Sequence, residues 1–497
     1  MARGAGGAQR HLRRHQPAAG RARRPAGRGL RRRRRHGDPR DAAHPGRSHS
    51  PRLRQPAHRP CRPRTGRTWR GSVARGGPQR RRGRDAEGKR RPQVTTEEPL
   101  PLAGLVVLDV SSFIAAPAAA AALADYGADV IKIEPPGDGD PHRNSFRNAS
   151  YPQSEHNFPW QLDGRLKRSL ALDLKTDGAR TILERLLKRA DVMIVNFPPP
   201  ARERLRLRWE DIEPINPRLI YCSLTGYGET GPDRDRPGFD VTAYFGRSGI
   251  LDAARYEGGP PGLSLPAQGD RATAMTLVAA ILMGLRRRDQ TGKGGWVGTS
   301  LYANGVWANG TSAAGALIGA KLPPRQGPDK PRNALTNLYR TSDDRWLQLL
   351  MVRDDRLWEK FCAVIDRPEL LVDERFAGRP ERRAHAMDLF AILKPVFAAR
   401  PYAEWERLFA GTGIPFGVIG RLADVIDDEQ AEHAGIFAAT TNPDIPRTVN
   451  TPIRLGFASP RTAGPPPAVG QHNDEVLREA GFSDSEIAAL KKSGALG

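Results

Sequence analysis

The sequence predicts an α/β fold: a doubly wound parallel sheet with helices on both faces, followed by a smaller region of mixed strands and helices. Three observations carry this. Short β-branched apolar runs recur through the first half of the folding part of the chain. Helix-period stretches stand between them. The spacing of strand, helix and strand, about 30 residues, is that of a βαβ crossover, which makes the strands parallel.

The elements follow in order. LVVLDV (105–110) is the first strand. Pro117 then opens an alanine run to Tyr126, because proline suits the first turn of a helix. Gly127 ends that helix and DVIKIE (129–134) is the next strand. SLALDL (169–174) begins a second unit, in which Thr176 or Asp177 caps a helix. Its Ala179, Ile182, Leu183, Leu186 and Leu187 fall on one face. DVMIVNF (191–197) and RLIYCSL (218–224) are further strands. After a turn-rich stretch (226–269), a helix is expected from about Ala272 to Arg288, and then the strand WVGTSL. KLPPRQGPDKPR (321–332) is a linker to the second region, which contains the strand RWLQLLMV (345–352). The tail from Thr451 ends in two short helices, the second opened by a capping box from Ser483 to Glu486.

Charge separates the first fifth of the chain from the rest. The 497 residues carry a net charge of +24, yet residues 1–93 alone hold 30 Lys/Arg against 4 Asp/Glu. Residues 94–497 are therefore near neutral. Residues 1–93 contain no Ile, Phe or Tyr and run through five arginines from Arg31 to Arg35. Such a segment buries too little apolar surface to offset its chain entropy, so an Arg-rich disordered extension is expected. It lacks the apolar core of a signal peptide. A nucleic-acid-binding arm and a transit peptide are alternatives. The favoured expectation is translated upstream sequence from a GC-rich gene, with Val94 as the start. No stretch is long and apolar enough to span a bilayer. The cysteines Cys61, Cys222 and Cys362 have no metal-ligand or redox spacing, which fits a reducing, cytoplasmic setting.

Several motifs bear on chemistry. Gly226-Tyr-Gly228-Glu-Thr-Gly231 fits GxGxxG and follows a strand, but Pro232 and Pro237 forbid the helix that a dinucleotide site needs. There is no P-loop and no GxSxG elbow, and the histidines show no paired metal-ligand spacing. Asp270, in Gln268-Gly-Asp-Arg, stands just before the expected helix. An aspartate there is ordinarily an N-cap. The same positive helix end would also keep a carboxylate ionised beside a flexible loop. Asn196 and Phe197 close a parallel strand, where open α/β sheets take ligands. Lys175 and Arg204 are candidates for phosphate contacts or are ordinary solvated surface.

The stretches LAGLVVLDVSSFIAAP, LADYGADVIKIEPPGDGDPHR, LKRSLALDLKT, INPRLIYCSLTGYGETGP, RRRDQTGKGGWV and VGQHNDEVLREAGFSDSEIAAL together resemble the type III CoA-transferases, the group of formyl-CoA and carnitine CoA-transferases. The likeness spans about Pro101 to Gly497. It implies a large Rossmann-like CoA-binding domain (98–320), a smaller α+β domain (333–440) and a C-terminal return to the large domain (451–497). It also implies an interlocked homodimer of rings. Acyl-CoA and carboxylic acids would be the substrates, with no tightly bound cofactor and no metal. The nucleophilic aspartate of that family falls on Asp270, which would form a mixed anhydride and then an aspartyl-CoA thioester. CoA contacts fall on Phe113, Ile114, Ala115, Leu172, Lys175, Asn196, Phe197, Arg204, Phe239 and Asp240. Two departures stand out: Pro198-Pro-Pro200 after the strand end, and Ile114 where formyl-CoA transferase has Gln.

The same fold also serves α-methylacyl-CoA racemase. That branch places a His where this chain has Phe239, and proton abstraction needs a paired base and acid. Transferase chemistry is therefore expected. FDVTAYFGRSG and NALTNLYRTSDDRW look most like the aryl- and 2-hydroxyacyl-CoA branch.

Overall fold

The computed structural model describes residues 98–497, so the expectations for residues 1–93 lie outside the described residues. Six parallel strands form the central sheet: β1 (Val106–Val110), β2 (Asp129–Glu134), β3 (Lys167–Ala171), β4 (Val192–Val195), β5 (Ile220–Thr225) and β6 (Gly295–Ser300). Their spatial order is β3-β2-β1-β4-β5-β6, so the winding direction reverses between β1 and β4. All six C-terminal ends therefore line one edge, and the reversal opens a crevice there, where such sheets take ligands.

Strand alternation builds a core on each face. Val107, Val192 and Ile194 point to one side, against α1 (Ala115–Asp125) and the long α7 (Gln268–Thr291). Leu108, Val110, Met193 and Val195 point to the other, against α3 (Asp177–Leu187) and the tail helices. Every residue of α1 is buried, and its alanines let α7 pack closely along it. The Thr176 hydroxyl caps α3 by accepting from the Ala179 amide at 3.2 Å, and all five expected face residues are buried. Between these lie α2 (Phe158–Gly164), α4 (Pro199–Arg204), α5 (Trp209–Ile212) and α6 (Ile250–Ala254).

Some boundaries differ from expectation. The third strand ends at Ala171, because Leu172 leaves β3 to bridge Leu496 of the tail. The long helix α7 runs Gln268–Thr291 and so starts four residues earlier than Ala272. Ala267 turns the chain at φ +68°, and the helix begins at once. β6 ends at Ser300, whose hydroxyl caps α8 (Leu301–Ala308). The expected turn-rich stretch also contains a wide helical turn over Asp240–Arg247. The GxGxxG stretch leads into no helix. Gly226 instead lets two chain segments cross, since a Cβ there would lie 2.7 Å from Gly238 Cα.

The second region carries an antiparallel sheet of β7 (Thr336–Arg340), β8 (Trp346–Leu350) and β9 (Phe416–Val418). Helices at Asp354–Val364, Ala386–Ala398 and Tyr402–Phe409 cover it, around a core of Tyr339, Phe397, Trp405 and Phe409. The tail closes against β3 with helices at Asn473–Glu479 and Asp484–Lys492, the second opened by the Ser483–Glu486 capping box.

Candidate active site

The crevice edge is shaped first by the β1–α1 loop, and a network of buried charge fixes that loop. Asp109, Lys132 and Lys167 are almost wholly buried inside strands. Lys167 Nζ pairs with Asp109 Oδ2 at 2.8 Å, and Lys132 Nζ pairs with Asp140 Oδ2 at 2.7 Å. Burial opposes ionisation of Asp109, but the two ammonium groups outweigh it and hold the carboxyl below its usual range. Asp140 Oδ1 then accepts from the Phe113 amide at 3.0 Å. From the other side, Asn196 clamps the loop: its Oδ1 accepts from the Ser112 amide at 2.9 Å, and its Nδ2 donates to the Ser112 carbonyl at 2.7 Å. Phe113 is held at φ +64°, a strained conformation of the kind found at functional sites, and its ring meets Phe239 edge-on at 5.9 Å.

Asp270 is the third residue of α7, inside the first turn, so the structure replaces the N-cap expectation. Tyr244 packs so closely on the preceding turn that a Cβ at Gly269 would lie 2.6 Å from its ring, which explains the glycine. A helix N-terminus favours a carboxylate, yet Asp270 is not held ionised as the sequence suggested. Burial and the neighbouring Asp240 push its pKa up to about 7, against a weaker opposing pull from Arg271. Arg271 has little charge to spare, because it forms a two-pronged pair with the fully buried Asp163 of α2. Asp163 also accepts from His142 Nε2 at 2.9 Å and is held well below the carboxylate range. Asp240 is buried as well: its Oδ1 accepts from the Val241 amide at 2.7 Å, and its Oδ2 has no hydrogen-bond partner. Burial raises its pKa despite the nearby backbone amides.

The structure thus gathers Phe113, Phe239, Asp240 and Asp270 at one place, with Asn196 acting through Ser112. Ile114 and Ala115 are buried at the start of α1. Leu172 is buried in the core against the tail, which leaves only its backbone for contacts. Phe197 packs partly on the same core. Lys175, before α3, and Arg204, at the end of α4, are exposed and make no ion pair among the described residues.

Sequence reasoning missed Asp163, Arg271, His142 and Tyr151. Burial raises the Tyr151 pKa, and so do the charges of Asp270, Asp163 and Asp240, which places this phenol beside the acidic group. A carboxylate within the first turn of a helix, followed by an arginine whose charge is taken by a sequence-distant buried aspartate, is left without an ion pair among the described residues. That is an arrangement suited to a nucleophile.

Comparison with known proteins fits this geometry. The family model described as CoA-transferase family III matches residues 102–473. The (R)-2-hydroxy-4-methylpentanoate CoA-transferase of Clostridioides difficile is 34% identical over 397 residues, covering 79% of this chain and 98% of that protein. The succinyl-CoA:glutarate CoA-transferase of Mus musculus is 32% identical over 426 residues, covering 84% and 96%. A crystal structure of a CAIB/BAIF family protein from Brucella suis superposes with a TM-score of 0.69 at 30% identity, covering 77% of this chain and all of that one.

Proposed function

The chain belongs to CoA-transferase family III, and we propose that it moves coenzyme A between carboxylic acids with Asp270 as the nucleophile. The observation that carries this is the Asp270 carboxylate itself: at the crevice edge, at a helix start, without an ion pair among the described residues, and with its pKa raised to about 7 by burial and the neighbouring Asp240.

Ionised Asp270 attacks the thioester carbonyl of the donor acyl-CoA. The C–S bond breaks, CoA leaves as a thiolate, and a mixed anhydride joins the donor acyl group to Asp270. The thiolate then attacks the Asp270 carbonyl carbon and releases the donor acid, leaving an aspartyl-CoA thioester. The acceptor carboxylate reverses the two steps: it forms a second anhydride, and the thiolate takes the new acyl group. Covalent catalysis divides the exchange into easier steps. Crowding Asp270 against Asp240 raises the energy of the free carboxylate, and acylation removes that charge and the repulsion with it. The edge-on Phe113–Phe239 pair offers the acyl group an apolar surface beside Asp240. Asp163 and Arg271 hold the first turn of α7 in place.

Racemase chemistry has less support. The charges acting on Asp270 are Asp240, Arg271 and Asp163, with no imidazole among them. His142 is fully buried, with both ring nitrogens engaged by Asp163 and Ser145. A homodimer is supported by exposed apolar side chains clustered along 307–318, among them Trp307 (85% exposed) and Leu317 (87%). The test is an exchange assay with a panel of acyl-CoA donors and carboxylic acids. Wild-type protein transfers CoA and Asp270→Ala does not; transfer retained in the variant removes Asp270 from the mechanism.

A further inference from the structure

Arg271 follows Asp270 directly in α7 and is the cation whose charge acts on it. Its side chain nevertheless turns away. Both terminal nitrogens donate to Asp163 of α2, Nη1 to Oδ1 and Nη2 to Oδ2, the second at 2.8 Å. Asp163 has no exposed surface, so a carboxylate there is costly unless its charge is answered. A second partner answers it too: His142 Nε2 lies 2.9 Å from Asp163 Oδ2. His142 is itself fixed. Its ring Nδ1 meets Ser145 Oγ at 3.0 Å, and its amide donates at 2.9 Å to Asp140 Oδ1, the oxygen that also accepts from the Phe113 amide. Asp163 is thus anchored through His142 and Asp140 to the β1–α1 loop, and holds Arg271 on its other side. A buried ion pair is no more stabilising than apolar side chains filling the same space. What this pair does supply is direction, because it decides which carboxylate the guanidinium serves.

We propose that Asp163 is a positioning residue for the transfer reaction: it holds the Arg271 guanidinium away from Asp270, so that the nucleophile meets its substrate free of a salt bridge. The inference rests on the transferase reading above, because a free Asp270 matters only where Asp270 reacts. The groups facing Asp270 are Asp240 from the helical turn 240–247, Arg271 from α7, Asp163 from α2 and Tyr151 from the loop before α2. Removing the Asp163 charge leaves Arg271 beside Asp270 and Asp240 with nothing to draw it elsewhere among these groups. The guanidinium then pairs with Asp270, stabilises the ionised carboxylate and weakens it as a nucleophile.

The test measures kcat and kcat/KM against pH for CoA exchange in wild type, Asp163→Asn, Arg271→Gln and the double variant. Asp163→Asn is expected to move the acid limb of kcat/KM down by about 1–3 pH units and to lower kcat at pH 8 by about tenfold. Arg271→Gln moves the acid limb the other way, above its wild-type position. The double variant recovers most of the kcat lost in Asp163→Asn, because the guanidinium that captured Asp270 is gone. A purely structural role for Asp163 predicts the reverse, a double variant at least as impaired as the single one. An acid limb unmoved in Asp163→Asn, no recovery in the double variant, or an acid limb that does not rise in Arg271→Gln would each overturn the inference. If Asp163→Asn does not fold, Arg271→Gln decides alone, by the direction in which its acid limb moves. Failure of the transferase reading looks different: Asp270→Ala then retains transfer.

Discussion

Two acidic clusters, one around the fully buried Asp109 and one around the half-buried Asp270, stand at the same sheet edge and behave in opposite ways. Asp109, inside β1, faces Lys132 and Lys167, and its pKa is held down. Asp270, on the first turn of α7, faces Asp240, and its pKa is driven up to about 7. Burial acts against the charge in both places, so the sign of the shift is decided by partners. The charges of the first cluster hold a loop, and the second leaves one carboxylate uncompensated, as its proposed role as nucleophile requires.

The largest expected effect breaks the second cluster. Asp270→Asn removes the proposed nucleophile and is expected to lower kcat by about 10^4-fold or more, as measured by CoA exchange. The same variant sharpens the comparison through stability. A folded-state pKa raised from 3.8 to about 7 means that the ionised carboxylate disfavours folding, by up to about 4 kcal/mol at 1.36 kcal/mol per unit. Asp270→Asn is therefore more stable than wild type above pH 7. The difference shrinks as pH falls from 7 towards 4, where the wild-type carboxyl is protonated whether folded or not. Denaturant melts at pH 8 and pH 4 check this.

Breaking the first cluster has the opposite outcome. Lys132→Met leaves Asp109 and Asp140 short of a partner and is expected to destabilise the protein by about 3–5 kcal/mol at pH 7. The loss diminishes as pH falls through the Asp109 titration, because the depressed pKa contributes stability only above it. A smaller effect comes from Asp240→Asn. Removing that neighbouring charge lowers the acid limb of the kcat/KM profile from about pH 7, and the wild-type and variant profiles against pH measure the displacement. The smallest is Asn196→Ala, which frees the Ser112 backbone and is expected to raise the KM for acyl-CoA several-fold with little change in kcat.

Much of this was legible in the chain. The continuous apolar run 192–195, buried on both faces of the sheet, and the one-sided helical face of 177–187 declare themselves in the sequence. Asp270 could be singled out from its place beside a helix start. Its actual position within the first turn could not, because the early start of α7 depends on the positive φ of Ala267. The charged partners were hidden for another reason. Arg271 and Asp163 are 108 residues apart, and Lys167 and Asp109 are 58 apart, so only the folded sheet brings them together. Asp109 and Lys132 sit inside apolar strands, where alternation gives no sign that two opposite charges will answer each other. Leu172 misleads in the converse way: it is adjacent to the crevice in sequence, but its side chain is taken by the tail.

The most direct measurement is peptide mass spectrometry of protein mixed with acyl-CoA and quenched with hydroxylamine. The account predicts a hydroxamate on the peptide carrying Asp270, absent without acyl-CoA and absent in Asp270→Asn. Turnover with that peptide unmodified, or a hydroxamate on another carboxylate, would contradict it.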